Sequence, residues 1–195
     1  MLLDNRSWAL LLVEAALVVI SVLLALALNS WREASAHHAL AQRAVQTVVD
    51  ETAGNCAIIL DVLPYHEQVL DGQTEYKGLG LALLRNDAWS SAQSAGAAVH
   101  IEYEIASLAG AIYALQDDHR RLLHSGLLAA YITALDLDPG YAMLHQPEEF
   151  PLEGPHPFML HDFIHLEKQL LTAYRKFLAR SEDIYGISGI CGDST

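Results

Sequence analysis

Two histidines one helical turn apart, His161 and His165, are the first residues whose types and spacing suggest chemistry. Side chains at i and i+4 share a helix face, so both imidazoles can reach one ion. Asp162 and Glu167 lie close by. A zinc site needs a third and generally a fourth ligand, and the chain has neither an H-E-x-x-H nor a C-x-x-C motif. His161 and His165 are therefore weak metal candidates. A polar helix face is the plainer account of them, and no cofactor is expected. The other histidines, of ten in all, fare worse. His37 and His38 are adjacent and point apart, while His119 and His124 stand five residues apart and spread around a helix.

Catalytic patterns are equally thin. Glu102 and Glu104 sit two apart, which puts their carboxylates on different sides of a helix. Gly78-Leu79-Gly80 lacks the third glycine and the strand–helix setting of a dinucleotide fingerprint. Asp117-Asp118 reads as the N-cap of a helix. Cys56 and Cys191 are too few for a disulfide framework. On an apolar helix face Cys56 reads as a small hydrophobe; a single Cys56–Cys191 bond is the alternative if the domain lies outside the cytoplasm. No catalytic residue is expected, and the chain reads as a non-enzyme.

One acidic group has an unusual setting. From Ala9 to Leu28 the only charge is Glu14 and the only other polar side chain is Ser21. A run of this length, at about 1.5 Å per residue, crosses the ~30 Å of bilayer hydrocarbon. A cleavable signal peptide would have a shorter apolar core, so an uncleaved anchor is the reading. Trp8 and Trp31 bracket the run as interfacial anchors. Glu14, Ser21 and the small Ala25 share one stripe, the pattern that lets membrane helices approach and hydrogen-bond. Packing against another helix is preferred for this stripe over interfacial tolerance or charge transport.

Positive residues are almost balanced across the span, Arg6 before it and Arg32 after it. The short start, residues 1–7, is expected in the cytoplasm, with residues 8–31 crossing the membrane. Residues 32–185 then form an extracytoplasmic helical domain, periplasmic on a bacterial inner membrane, and residues 186–195 a flexible tail. The formal net charge is −13, and all acidic and basic residues except Asp4, Arg6 and Glu14 fall in the domain and tail. Such a surface repels phosphate backbones, which excludes nucleic acid as a partner.

Apolar residues beyond Trp31 keep helical spacing, without strand-like alternation. Leu40, Ala41, Ala44, Val45, Val48, Val49, Thr52 and Cys56 form one stripe, so the anchor is expected to continue as a helix to Leu63. Pro64 should stop or kink it, with a short helical piece over residues 65–70. Further helices are expected from Asn86-Asp87, over residues 99–116, from Asp118 to Leu135, and from Pro157 to Ser181. Residues 145–157 hold Pro147, Pro151, Pro155 and Pro157 and read as a rigid loop. The fold class is all-α: one N-terminal transmembrane helix continuing into a small helical bundle.

The run Glu14 to Glu33, ending Ala25-Leu26-Ala27-Leu28-Asn29-Ser30-Trp31-Arg32-Glu33, resembles the anchor of an uncharacterised bacterial family of single-pass membrane proteins. Those anchors read E-hydrophobic-A-L-x-x-N-x-W-x-E. Ala88-Trp89-Ser90-Ser91-Ala92-Gln93-Ser94-Ala95-Gly96 is similar to the family's A-W-x-x-A-x-x-x-G element, and Tyr113 with Gln116 fits its Y-x-x-Q ending. The resemblance covers about a third of the chain and implies topology and helical architecture, not an activity. The function expected is a non-catalytic single-pass subunit that makes protein contacts within a membrane complex. Its partners would be other membrane subunits or a second copy, together with the lipid bilayer. The alternatives are an extracytoplasmic ligand-binding sensor and a membrane-tethered metal enzyme built on His161 and His165.

Overall fold

A computed structural model of the chain describes residues 5–75, 82–136 and 156–192. Among these residues every regular element is helical. Helix α1 spans Asn5–Leu70, α2 spans Asp87–Ser94, a single 3-10 turn covers Ala98–His100, α3 spans Tyr103–Asp136 and α4 spans His156–Tyr185. The all-α expectation holds. Gly78–Gly80 and residues 145–155 of the expected proline-rich loop lie outside the described residues, while His156 and Pro157 belong to α4.

Helix α1 has two halves with different surroundings. Leu12, Leu17, Ile20 and Leu24 are each about half exposed or more, as are all their described neighbours up to Trp31. From His37 on, one stripe goes inward: Ala41, Val45, Val48, Val49, Thr52, Cys56, Ile59, Leu63, His66 and Val69 are buried. Of the stop or kink expected at Pro64, the stop does not occur: the helix continues through it. It stands on the exposed side, and the buried stripe on either side, Leu63 and His66, packs as one. Proline removes a single intrahelical hydrogen bond, and tertiary packing of the flanking turns outweighs that loss.

Helices α1 and α4 run antiparallel, as the meetings of His66 with Glu167 and of Val49 and Leu178 at Gly189 require. Helices α3 and α4 are antiparallel too, with Glu104 against Arg180 and Gln116 against Tyr174. Between α1 and α3 the chain descends through α2 and the 3-10 turn. Gly96 makes this descent possible: at φ 70° it closes α2, with the Ala97 N–H bonded to the Ala92 carbonyl and the Gly96 N–H to that of Gln93. Helix α3 then runs through Asp117-Asp118 without a break, against the expected second N-cap. Gln116 and His119 are both buried there, and the aspartates pair outward with Arg120 and Arg121 one turn on. Aspartate inside a helix costs only a fraction of a kcal/mol in propensity, so burial of the flanking face outweighs its preference for a cap.

The end of the chain also departs from expectation. Residues 186–192 of the expected flexible tail turn back along α1 and pack there. Ile187 is buried, and Cys191 is disulfide-bonded to Cys56 across 135 residues of sequence. Gly189 fits where a side chain cannot: an added Cβ would lie 2.7 Å from Leu178 Cδ2 and 2.8 Å from Val49 Cγ1. Glycine content alone suggested mobility; here it permits close packing.

Candidate functional site

The interior of the bundle carries more polar side chains than its size needs for filling. Glu51, Thr52, Asn55, His66, Gln116, His119, Glu167 and Ser181 are all buried. Most of them gather in two places along α1.

The first is centred on Glu51, one turn beyond Val48 on the apolar stripe. Its Oε2 accepts hydrogen bonds from the backbone N–H of Asp87 at 3.1 Å and of Ala88 at 3.2 Å, and its Oε1 accepts one from the Tyr113 hydroxyl. Asn86 holds the N-cap position of α2 but makes no side-chain cap, so a carboxylate from another helix serves as the cap. A negative group at a helix N-terminus also meets the positive end of the helix dipole. Burial and the neighbouring Glu51 both push the Tyr113 phenol well above its usual range. Asn55, one turn on, donates through Nδ2 to the Arg85 carbonyl at 2.7 Å and accepts from the Arg85 N–H at 2.9 Å. Tyr174 Oη accepts from Gln116 Nε2 at 2.9 Å, and burial pushes this phenol up as well. Trp89 stacks beside Tyr113, ring centres 6.4 Å apart.

The second place holds three titratable groups. Glu167 of α4 is fully buried; His66 of α1 brings Nδ1 to 3.0 Å of its Oε2. His119 of α3 stands with Nε2 4.0 Å from Oε1, an ion-pair distance beyond hydrogen-bond reach. Phe163 packs on both rings, at 6.2 Å from His66 and 5.4 Å from His119. Burial alone would push the Glu167 carboxyl up. The imidazoles of His119 and His66 outweigh it and hold the carboxyl below the ordinary glutamate range. Among the described residues, His66 Nε2, His119 Nε2 and Glu167 Oε1 are buried without a hydrogen-bond partner. This arrangement couples three helices through buried polar groups.

The residues singled out from sequence fall elsewhere. Ser21 and Ala25 lie with Glu14 on the exposed part of α1, and the Ser21 hydroxyl donates back to the Leu17 carbonyl at 2.7 Å. Trp8 and Trp31 are both exposed at the ends of the apolar run. His161 and His165 are exposed: the first is 3.8 Å from Asp162, and the second accepts from or faces Gln169 Nε2 at 2.8 Å. No group of three His, Cys, Asp or Glu suited to a metal occurs among the described residues. Sequence reasoning passed over Glu51, Asn55 and His66, named Glu167 only as a neighbour of His161 and His165, and gave His119 a discouraging reading. The available signal was register: each sits three or four residues from apolar residues of a buried stripe.

No family model matches the chain, and neither a curated protein nor a solved structure does.

Proposed function

We propose that this chain is a non-catalytic, single-pass subunit of a bacterial inner-membrane complex, holding a disulfide-clasped helical bundle on the extracytoplasmic side. The observation that carries the reading is the change of character along one unbroken helix. Leu11 to Leu28 expose apolar side chains around the whole circumference, whereas the stripe from Ala41 to Val69 is buried in the bundle. Water does not stabilise a bare apolar helix of that length; hydrocarbon does. The Cys56–Cys191 bond supports the compartment, because disulfides persist outside the reducing cytosol. The interior polar groups support the non-catalytic part: Glu51 and Asn55 tie α2 and the segment before it to α1, which is structural use of their hydrogen bonds.

Within the membrane the docking face is the stripe of Glu14, Ser21 and Ala25, which would meet another subunit or a second copy. A carboxylate facing lipid costs at least ~2.5 kcal/mol, and a partner helix relieves this. The likeness of the anchor and of the Trp89–Gly96 element to uncharacterised single-pass proteins belongs to the same reading. The test is purification in mild detergent of the wild type and Glu14→Leu, with a reporter fused after Thr195. Co-purifying subunits or self-association, lost in Glu14→Leu while insertion persists, is the expected result. Unchanged assembly in Glu14→Leu sinks the stripe, and reporter activity in the cytoplasm reverses the compartment.

A further inference from the structure

The end of the bundle nearest the apolar run carries large exposed side chains that its own core does not use. Tyr103 is 84% exposed and Val99 81% exposed, although both flank the buried Ile101. Their place relative to α1 is fixed by His37 and His100, whose rings stack 3.9 Å apart at an interplanar angle of 15°. Among the described residues, α1 joins the bundle from this point onward, since Glu33 to Ala36 are exposed. Tyr103 opens α3, which climbs away from that end. Side chains of a helix tilt toward its N-terminus, so the phenol leans toward the apolar run and not along the bundle.

From this geometry we propose that Val99 and Tyr103 rest on the lipid surface and seat the bundle against the membrane. The proposal rests on the reading of α1 as a membrane span. At 1.5 Å per residue, His37 stands about 13 Å beyond Leu28, the last residue of the apolar run. The headgroup layer fills about 5–7 Å of that distance, and the tyrosine side chain covers much of the rest. Helix tilt, about 20° on average, lowers one side of the bundle further. Tyrosine is the residue suited to this boundary, with an apolar ring and a polar tip. Glu102 caps the start of α3 through Oε2, and Arg180 is already committed to Glu104 and Asp183. Glu102 and Glu104 make this rim acidic, and the exposed Val99 and Tyr103 offer lipid an aromatic and apolar contact.

The test uses the full, oxidised chain in phosphatidylcholine nanodiscs containing lipid spin-labelled near the glycerol backbone. Single cysteines replace Leu28, Asp71, Val99 or Tyr103 and carry an environment-sensitive dye; all four sites are exposed, so the fold tolerates them. Labels at Val99 and Tyr103 should be quenched at least about twofold, like the one at Leu28, with the label at Asp71 beyond the far end of α1 unaffected. Quenching at Leu28 with none at Val99 and Tyr103 overturns the seating while leaving the span intact. No quenching at Leu28 overturns the span and the seating together. A blue shift at Tyr103 without quenching would mean that protein, not lipid, covers this end, and overturns the proposal as well.

Discussion

Glu167 Oε2 and His66 Nδ1 lie 3.0 Å apart in a pairing that joins residues 101 positions apart and that solvent does not reach. A polar pair in a core is a poor source of net stability, because desolvation offsets the attraction. Losing one member is a different matter: it strands the other and costs about 3–5 kcal/mol. The pair, with His119 on the far side, therefore fixes how α1, α3 and α4 meet more than it strengthens the core.

Acid should expose this dependence. The folded Glu167 carboxyl sits below its ordinary range, so the unfolded chain takes up that proton first as pH falls. Its contribution to stability is then complete above about pH 4.5 and lost progressively below. Urea midpoints of wild type and Glu167→Gln, measured from pH 7 to pH 3, should differ at neutral pH and converge in acid. A gap that stays constant to pH 3 would contradict the assignment.

At the alkaline end the sign reverses and the group changes. Burial, followed by the hydrogen bond to Glu51, raises the Tyr113 phenol, so the folded chain keeps a proton that the unfolded chain gives up near pH 10. Stability should fall as pH rises past about 10, and Tyr113 should ionise only on unfolding. Absorbance of tyrosinate at the ultraviolet red edge would follow this, with one fewer delayed group in Tyr113→Phe. Free titration of Tyr113 in the native state would argue against its burial beside Glu51. The same substitution leaves Glu51 short of a donor and should cost about 1.5–3 kcal/mol at neutral pH.

Helical content, the long anchor and the stripe from Ala41 to Cys56 were legible because burial of one face writes a 3.6-residue period into the sequence. The polar interior was not. Glu51, His66 and Glu167 occupy core positions of that same period, but hydropathy counts them as breaks or as solvent-facing, and only the tertiary partners reverse that. Trp89, Tyr113 and Gln116 drew notice as motif residues, and the structure gathers them near Glu51 and Tyr174. Helix ends were misread for a related reason. Pro64 and Asp117-Asp118 are local stop or start signals, and packing on both sides carried the helices through them.

The clasp between tail and stalk gives a paired test. An alanine at Gly189 must displace Leu178 or Val49, and valine on a helix has little rotamer freedom to yield. Gly189→Ala should cost about 1–3 kcal/mol by overpacking and slow formation of the Cys56–Cys191 bond. Gly192→Ala, whose nearest neighbour is Leu60 Cδ1 at 4.0 Å, should do neither. Reduction of the bond reopens a loop of 135 residues, worth about 5 kcal/mol in the chain-entropy account. Non-reducing gels and thermal melts with and without reductant read both effects; equal behaviour of the two glycine variants would show that the tail is not seated in the groove.

Finally, the division of α1 implies that the bundle stands without its anchor. Among the described residues, those of α1 that are buried all lie at Ala41 or beyond, and their stripe packs on α4 and on the disulfide-bound tail. Each buried Val, Leu or Ile contributes about 1.5–3 kcal/mol, which several such residues on this half supply. A fragment beginning at Ala36, produced in an oxidising compartment, should therefore be a soluble, helical monomer that melts cooperatively. Circular dichroism and sedimentation measure this directly. An insoluble or non-cooperative fragment, with the disulfide formed, would mean that the stripe is completed by another chain, and that the bundle is only part of a larger core.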